Sequence, residues 1–244
     1  MNRVSTTRPL VSIIVPSWNN GPELILCLKS LDEQSYRPFN VIVVDDASTD
    51  DTAAQLAVLH VSFPLTVVSQ VERRGAAAAR NVGAKIATGE YLLFVDSDEV
   101  LRPHAIDRMM IELDRHPEAA FTYPAHRFGW KLFRSRPFDL NALRTAPYIH
   151  TTALMRRAAF PGFDESLKKF QDWDLWLTIA ERGGKGVWIS EELFTINMAK
   201  STMSRWMPSI VHRLPWPIMG WTPRELLRYR EWEKIIKKKH RIAG

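Results

Sequence analysis

The 244-residue sequence contains a single cysteine, Cys27, and no apolar run of the roughly 20 residues that a membrane-spanning helix requires. One cysteine excludes an internal disulfide and is typical of a reducing compartment. Because Cys27 lies in a stretch with helical apolar spacing, we interpret it as a small buried residue, not a nucleophile. Residues 1–9 are polar and lead directly into a strand-like segment, so we expect no cleavable signal peptide. We therefore expect a cytoplasmic protein.

Most of the chain also lacks a basic excess. The net charge is +6, but residues 200–244 carry eleven Lys and Arg against three Asp and Glu, whereas residues 1–199 carry 22 basic and 24 acidic side chains. The body therefore gives no basis for a nucleic-acid-binding face. Hydrophobic residues make up 45% of the sequence, which is enough for a sizeable core.

The first part of the chain alternates short apolar runs with segments of helical spacing. Strands are predicted at residues 10–15, 40–44, 65–68 and 91–95, with helices at residues 23–33, within 48–60, and at 76–87 and 103–115. Ser48 or Thr49 is expected to cap the second helix. This order predicts an α/β fold with a mostly parallel sheet and helices on both faces. Beyond residue 119 the pattern is irregular, with strands expected near residues 121–126, 151–155 and 187–189 and a helix at 173–182.

Two of the predicted strands end at carboxylates. Asp45 and Asp46 close the second strand, and Asp96 and Asp98 follow the fourth. Ligands of open α/β sheets bind at the carboxyl ends of the strands. Paired carboxylates there suit Mg²⁺ or Mn²⁺, and such a cation suits a diphosphate, which predicts a site for a nucleotide sugar or another nucleotide diphosphate. The alternative for each pair is a solvated turn or a helix-capping cluster.

Other candidate site residues lie at the same predicted edge. Trp18, after Pro16, stands in a polar loop where it packs on either a nucleobase or the core. Arg80 lies in an alanine-rich helix that must pack closely on the sheet, which favours an inward role facing a carboxylate or a phosphate. Asp172 and Asp174 begin the late helix, where they either complement its dipole or provide a general base.

Together these motifs resemble the family 2 glycosyltransferases, which have the GT-A fold. The matching segments are residues 11–19, 41–52, 75–99 and 162–183, and the resemblance covers residues 10–194. It implies inverting transfer of a sugar from a nucleotide-diphosphate donor to a hydroxyl group, with Mn²⁺ or Mg²⁺ as the cofactor. The acceptor implied is a growing glycan or a lipid-linked sugar.

The resemblance also implies roles for individual residues. Asp172, at the acidic position of the family's Glu-Asp motif, would be the base, and Gln171 stands where Glu is usual. Asp98 would ligate the cation, and Asp96 would lie beside the ribose and the metal. The residues implied for the nucleotide are Pro16, Trp18, Asp45, Asp46, Arg80 and Asp96.

One part of the family pattern is missing. Many relatives carry an aromatic-Arg-x-His stretch after the base-bearing helix, but residues 194–197 here are Phe-Thr-Ile-Asn. The third metal ligand is therefore left open between Asn197, His150 and His212.

We divide the chain into a catalytic domain at residues 1–202 and a basic, Trp-rich extension at residues 203–244. Aromatic residues beside a Lys/Arg cluster suit an anionic membrane surface, which predicts a peripheral position on its cytoplasmic face. The alternative is that the tryptophans of the extension pack on the domain and the lysines are solvated. The alternative functions are those of a nucleotidyltransferase and of a non-catalytic sugar-binding relative. The first would be expected to carry a Gly-rich basic loop after the first strand, and the second to have lost its carboxylates.

Overall fold

The computed structural model describes residues 8–197 and 223–242. Its strands are β1 (Val11–Ser17), β2 (Phe39–Asp45), β3 (Leu65–Ser69), β4 (Tyr91–Phe94), β5 (Glu99–Leu101), β6 (Phe121–Phe128), β7 (Lys131–Phe133), β8 (Leu154–Arg156) and β9 (Gly186–Ile196). The helices are α1 (Gly21–Asp32), α2 (Thr52–Ala57), α3 (Ala76–Ile86), α4 (Ala105–Arg115), α5 (Leu140–Thr145), α6 (Gln171–Glu181) and α7 (Arg224–Lys239). No helix in these two ranges is long and apolar enough to cross a membrane.

The strands form one sheet in the order β3-β2-β1-β4-β8-β6-β9-β5, with β7 paired to β6. Strands β3, β2, β1 and β4 are mutually parallel. Beyond β4 the sheet is mixed, because β8 is antiparallel to both β4 and β6 while β6 and β9 are parallel. The mostly parallel α/β sheet predicted from the sequence is thus confirmed.

The core lies on both faces of the sheet, because neighbouring residues of a strand point in opposite directions. In β1, Ile13 and Val15 pack in the cluster that contains residues of α1 and α4. Ile14 packs in the opposite cluster, which contains residues of α3 and α6. Both faces are therefore covered, as expected for a buried parallel sheet.

Several local predictions need correction. Helix α2 begins after Asp51, and neither Ser48 nor Thr49 caps it. The Ser48 hydroxyl instead donates to Asp45, and the Thr49 amide donates to Asn19. The strand expected at residues 151–155 is the shorter β8, whereas β5, β7 and α5 were not predicted. They are short elements of three to six residues, too short for a periodic pattern to show.

Helix α7, which carries the lysine cluster of the extension, packs on the rest of the fold. Leu226 and Ile236 are fully buried, and Trp232 packs against the core cluster of α3 and α6. The remaining aromatic and apolar residues on which the membrane hypothesis rests lie outside the described residues. They are Trp206, Ile210, Trp216, Ile218, Met219 and Trp221.

Candidate active site

A cavity of about 1140 Å³ opens at the carboxyl ends of β1, β2 and β4. Of the candidate site residues singled out from the sequence, it is lined by Pro16, Trp18, Asp46, Arg80, Asp96, Asp98, His150 and Asp172. The strand-end loops supply one part of its lining, and β7, residues 147–151 and the start of α6 supply another. Sequence reasoning therefore found residues that are far apart in the chain and meet in one cavity. Asp45 is not among the lining residues.

Asn19 joins the loops after β1 and β2. Its backbone has a positive φ of 48°, and its amide donates to Ser48 Oγ at 2.9 Å. Its Oδ1 accepts the Thr49 amide at 2.7 Å. Next to it, the Arg73 guanidinium lies 3.4 Å from the centroid of the Trp18 ring. The partner of this tryptophan is therefore an arginine, which the sequence did not reveal.

The two acids that end β2 hold different parts of this loop region. Asp45 is buried and accepts hydrogen bonds from the backbone and hydroxyl of Ser48. Asp46 accepts from the amides of Arg74 and Gly75, both at 2.7 Å, and from Gln70 Nε2 at 2.8 Å. Asp46 therefore fixes the segment that enters α3. Asp46 lines the cavity, and its carboxylate already accepts hydrogen bonds from these three donors.

Arg80 faces inward, as its place in the alanine-rich helix predicts. Its side chain is 6% exposed and forms an ion pair with Asp96. Its Nη1 also donates to Gln171 Oε1 at 3.2 Å, while Gln171 Nε2 donates to Leu167 O at 2.7 Å. Gln171 thus uses both ends of its amide, and a Glu at this position could not make the second bond.

The carboxylates after β4 are crowded; Glu99 is fully buried, while Asp96 and Asp98 are partly buried. Burial alone would raise the pKa of Asp96, but the charges of Arg80 and His150 and the hydrogen bond from Arg80 lower it. Burial and the Asp96 charge raise the pKa of Asp98 to about 6. Three acids within four residues therefore repel one another, and a cation would relieve this repulsion.

Glu99 is the site residue that sequence reasoning missed. It is fully buried, its Oε2 accepts the Thr152 hydroxyl at 2.6 Å, and its Oε1 accepts no hydrogen bond. His150 Nδ1 lies 3.4 Å from that free oxygen. Burial, followed by the Asp96 charge, raises the pKa of Glu99, and burial lowers the pKa of His150. The signal was present in the sequence, because Glu99 directly follows the Asp96-x-Asp98 motif.

One ligand atom each from Asp96, Glu99 and His150 lies within 4.8 Å of the others. Two ligands of one Mg²⁺ lie at most about 4.2 Å apart, since each stands about 2.1 Å from the ion. Small side-chain movements would therefore bring these three atoms onto one cation. The orphaned Glu99 oxygen and the hard oxygen donors fit such an ion.

The other metal-ligand candidates are placed differently. Asp98 is outside this group of three but lines the same cavity. The Asn197 amide donates to Asp98 O at 2.9 Å, which brings residue 197 to the same edge. His212 lies outside the described residues.

Asp172 stands in the first turn of α6, where its Oδ1 accepts the Trp173 amide at 2.8 Å. Burial raises the pKa of Asp172, against the opposing charges of His150 and Arg80. A raised pKa brings a carboxylate closer to the range in which it accepts a proton effectively near neutral pH. Asp98 and Asp172 line one cavity, which is the arrangement that a cation site and a base require.

The parallel sheet edge, the acidic cluster and the separate carboxylate on α6 together define a GT-A-type α/β protein. The chain belongs to glycosyl transferase family 2, whose sequence model matches residues 12–167. An uncharacterized glycosyltransferase of Haemophilus influenzae is 37% identical over 114 residues, which are 47% of this chain and 38% of that protein. Chondroitin synthase of Escherichia coli is 26% identical over 190 residues, 72% of this chain and 27% of that protein. The chain thus spans well under half the length of these two relatives.

Solved structures share the fold. The S. aureus protein TarS (residues 1–349), in complex with UDP-GlcNAc, superposes with a TM-score of 0.69 at 23% identity, over 81% of this chain and 61% of that one. The mannosyltransferase PcManGT from Pyrobaculum calidifontis, in complex with GDP-Man and Mn²⁺, gives a TM-score of 0.68 at 23% identity, over 98% of this chain and 77% of that one.

Proposed function

We propose that this protein is a metal-dependent, inverting glycosyltransferase that moves a sugar from a nucleotide-diphosphate donor to a hydroxyl group. The observation that carries the proposal is that Asp172 and the Asp96–Asp98–Glu99 acids line one cavity in a family 2 chain. Relatives of the same fold bind UDP-GlcNAc in one case and GDP-Man with Mn²⁺ in another. Both ligands are nucleotide-diphosphate sugars.

The donor binds at the strand-end loops. Pro16, Trp18 and Asp46 line the part of the cavity nearest β1 and β2, where the nucleoside fits, and Asp45 supports that loop from behind. Arg73 stacks on Trp18 and adds a positive charge beside it. We infer that the diphosphate then lies toward the acids that follow β4.

Asp96, Glu99 and His150 would hold the cation, Mn²⁺ or Mg²⁺, with Asp98 beside them. A bound cation would neutralise the charge that develops on the departing nucleoside diphosphate. Arg80 holds Asp96 in place through their ion pair and keeps that carboxylate ionised.

Asp172 then takes the proton of the acceptor hydroxyl. It lies in the first turn of α6, and we infer that an acceptor beside it approaches the sugar from the side opposite the leaving group. One base and one displacement give inversion at the transferred carbon.

The test pairs two substitutions with a control. Thermal-shift screening of UDP, GDP, CDP and dTDP sugars with Mn²⁺ first identifies the donor. Asp172→Asn should then keep donor affinity and lose roughly 100-fold or more in kcat. Asp98→Asn should weaken both Mn²⁺ and donor binding. Asp164→Asn, whose side chain lies outside the cavity, should change neither. Normal turnover by Asp172→Asn would disprove the assignment of the base.

We propose that the acceptor is a glycan or a lipid-linked sugar. We further propose that residues 203–244 bind the cytoplasmic face of a membrane and bring the protein to this acceptor. Lys234 and Lys238 of α7 are exposed and make no ion pair with the described residues. Replacing both with Glu should reduce sedimentation with anionic liposomes at low salt, since each basic residue near such a surface contributes about 1 kcal/mol. Lys85→Glu, on α3, is the control, and equal sedimentation of all three proteins would contradict the proposal.

A further inference from the structure

Helix α7 contributes to the cavity although it lies beyond residues 12–167, the part of the chain that matches the family model. Tyr229, in its second turn, is among the residues that line the cavity. Its ring packs edge-on against Phe170, with the centroids 4.9 Å apart and the planes at 87°. Phe170 immediately precedes α6 and has a positive φ of 59°. The aromatic pair therefore stands beside the turn that carries Asp172.

The position of Tyr229 is fixed by a buried anchor at the other end of α7. His240 Nε2 lies 2.8 Å from Asp174 Oδ1, and both side chains are almost fully buried. Lys239 Nζ lies 2.7 Å from the same Asp174 oxygen and 2.6 Å from Asp164. Because Asp174 belongs to α6, these contacts tie α7 to the helix that presents Asp172.

The chemistry of this wall suits a sugar ring. The Tyr229 side chain is partly buried, and burial raises the pKa of its phenol, with further contributions from the charges of Glu233 and Asp172. It therefore remains a neutral aromatic ring with a polar tip at the cavity wall. The C–H face of a pyranose is apolar and packs on such a ring, while its hydroxyl groups need polar partners nearby. Tyr229, Phe170 and Asp172 line the same cavity, so a ring packed on Tyr229 would lie on the side of the cavity that carries this carboxylate.

We propose that Tyr229, oriented by Phe170, forms an acceptor subsite for a pyranose ring and determines which acceptor reaches Asp172. This inference rests on the function proposed above and adds a residue that the strand-end motifs do not include. The rival explanation is purely structural, with Tyr229 serving only to pack α7 on α6.

The experiment compares variants of the full chain. Saturation-transfer NMR measures binding of a panel of methyl glycosides (glucoside, galactoside, mannoside and N-acetylglucosaminide). We expect signal on the ring C–H protons of at least one glycoside with the wild type. Tyr229→Ala should weaken that binding about tenfold, and Tyr229→Phe should stay within about threefold, because the ring face remains. Leu227→Ala, on an exposed position of the same helix, should leave it unchanged.

Steady-state kinetics with the same glycoside adds a second readout. Tyr229→Ala should raise the KM for the glycoside about tenfold and leave the KM for the donor unchanged, whereas a loosened fold would affect both. If Tyr229→Ala fails to fold, Tyr229→Leu replaces it, since leucine keeps the apolar bulk without a flat ring.

The two proposals fail separately. If the wild type neither binds nor uses any nucleotide sugar, the proposed function is wrong, while the NMR comparison still decides the subsite. If the wild type transfers sugar but Tyr229→Ala and Tyr229→Leu bind the glycosides as the wild type does, only the subsite is wrong. Absence of ring-proton signal for every glycoside would also overturn it.

Discussion

Asp174→Asn should destabilise the protein more than any other single carboxylate change on α6. Asp174 is 3% exposed, and its Oδ1 faces His240 Nε2 at 2.8 Å and Lys239 Nζ at 2.7 Å. The substitution keeps the shape of the side chain but removes the negative charge between these two cationic groups. The end of α7 then loses its main electrostatic contact with α6.

The magnitude follows from the surroundings of the pair. Removing one partner of a buried ion pair costs about 3–5 kcal/mol. Here Lys239 keeps Asp164 at 2.6 Å and His240 keeps Glu181 at 3.0 Å, so we expect the lower end, about 3 kcal/mol. For a chain of this size each kcal/mol shifts the Tm by about 2–4 °C, which gives a decrease of roughly 6–12 °C.

The effect should depend on pH. Burial alone would lower the pKa of His240, but hydrogen bonds to Asp174 and Glu181 raise it above its usual value. The folded state therefore holds this proton more tightly than the unfolded state. The stabilisation is complete below the unfolded pKa of about 6.5 and is lost as the pH rises through the folded pKa. The Tm of the wild type should therefore fall as the pH rises through the folded pKa of His240. In Asp174→Asn this pH-dependent fall in Tm should be smaller.

Differential scanning calorimetry of the full chain between about pH 6 and about pH 8 measures both effects, a range that brackets the usual His pKa. Asp164→Asn is the matched control, because Asp164 is more exposed and such a pair contributes at most about 1 kcal/mol. If Asp174→Asn and Asp164→Asn lower the Tm equally, or if the pH dependence of the Tm is the same in Asp174→Asn as in the wild type, the buried pair does not anchor α7.

Two further predictions concern other parts of the fold. A Cβ at Gly83 of α3 would lie 2.4 Å from Ile14 Cγ2 of β1. Gly83→Ala should therefore lower the free energy of unfolding, measured with urea, by about 1–3 kcal/mol. An unchanged urea midpoint would mean that α3 does not pack this closely on the sheet. Gln171→Glu places a negative charge next to Asp172, so the acidic limb of the kcat–pH profile should move up by roughly one unit if Asp172 is the base. A limb that stays in place would argue against that base.

The parallel half of the sheet could be predicted from the sequence because its signals are local. Apolar runs that end at Asp45 and Asp96 mark strands and place their carboxyl ends at one edge, and the structure confirms this arrangement. Arg80 was predicted to face inward because an alanine-rich helix must lie close to the sheet, and it pairs with Asp96. Periodicity and turn chemistry act over a few residues, so such features can be read directly.

The remaining contacts depend on chain segments that meet only in the folded protein. His150 approaches Glu99 across a separation of about fifty residues, and no spacing rule connects them. The stacking of Arg73 on Trp18 and the anchoring of His240 on Asp174 are of the same kind. The lysines around residue 239 suggested a charged surface, and only tertiary packing shows that Lys239 pairs with two carboxylates.

The wall that α7 contributes comes from chain beyond the segment that matches the family. Substitutions in that helix can therefore reshape one side of the cavity while the strands that carry the acidic cluster stay untouched. Under the proposal that Tyr229 selects the acceptor, selectivity for one reactant and chemistry on the other would be encoded in separate stretches of sequence. Under the same proposal, exchanging α7 together with its His240 contact would be a direct way to alter acceptor selectivity.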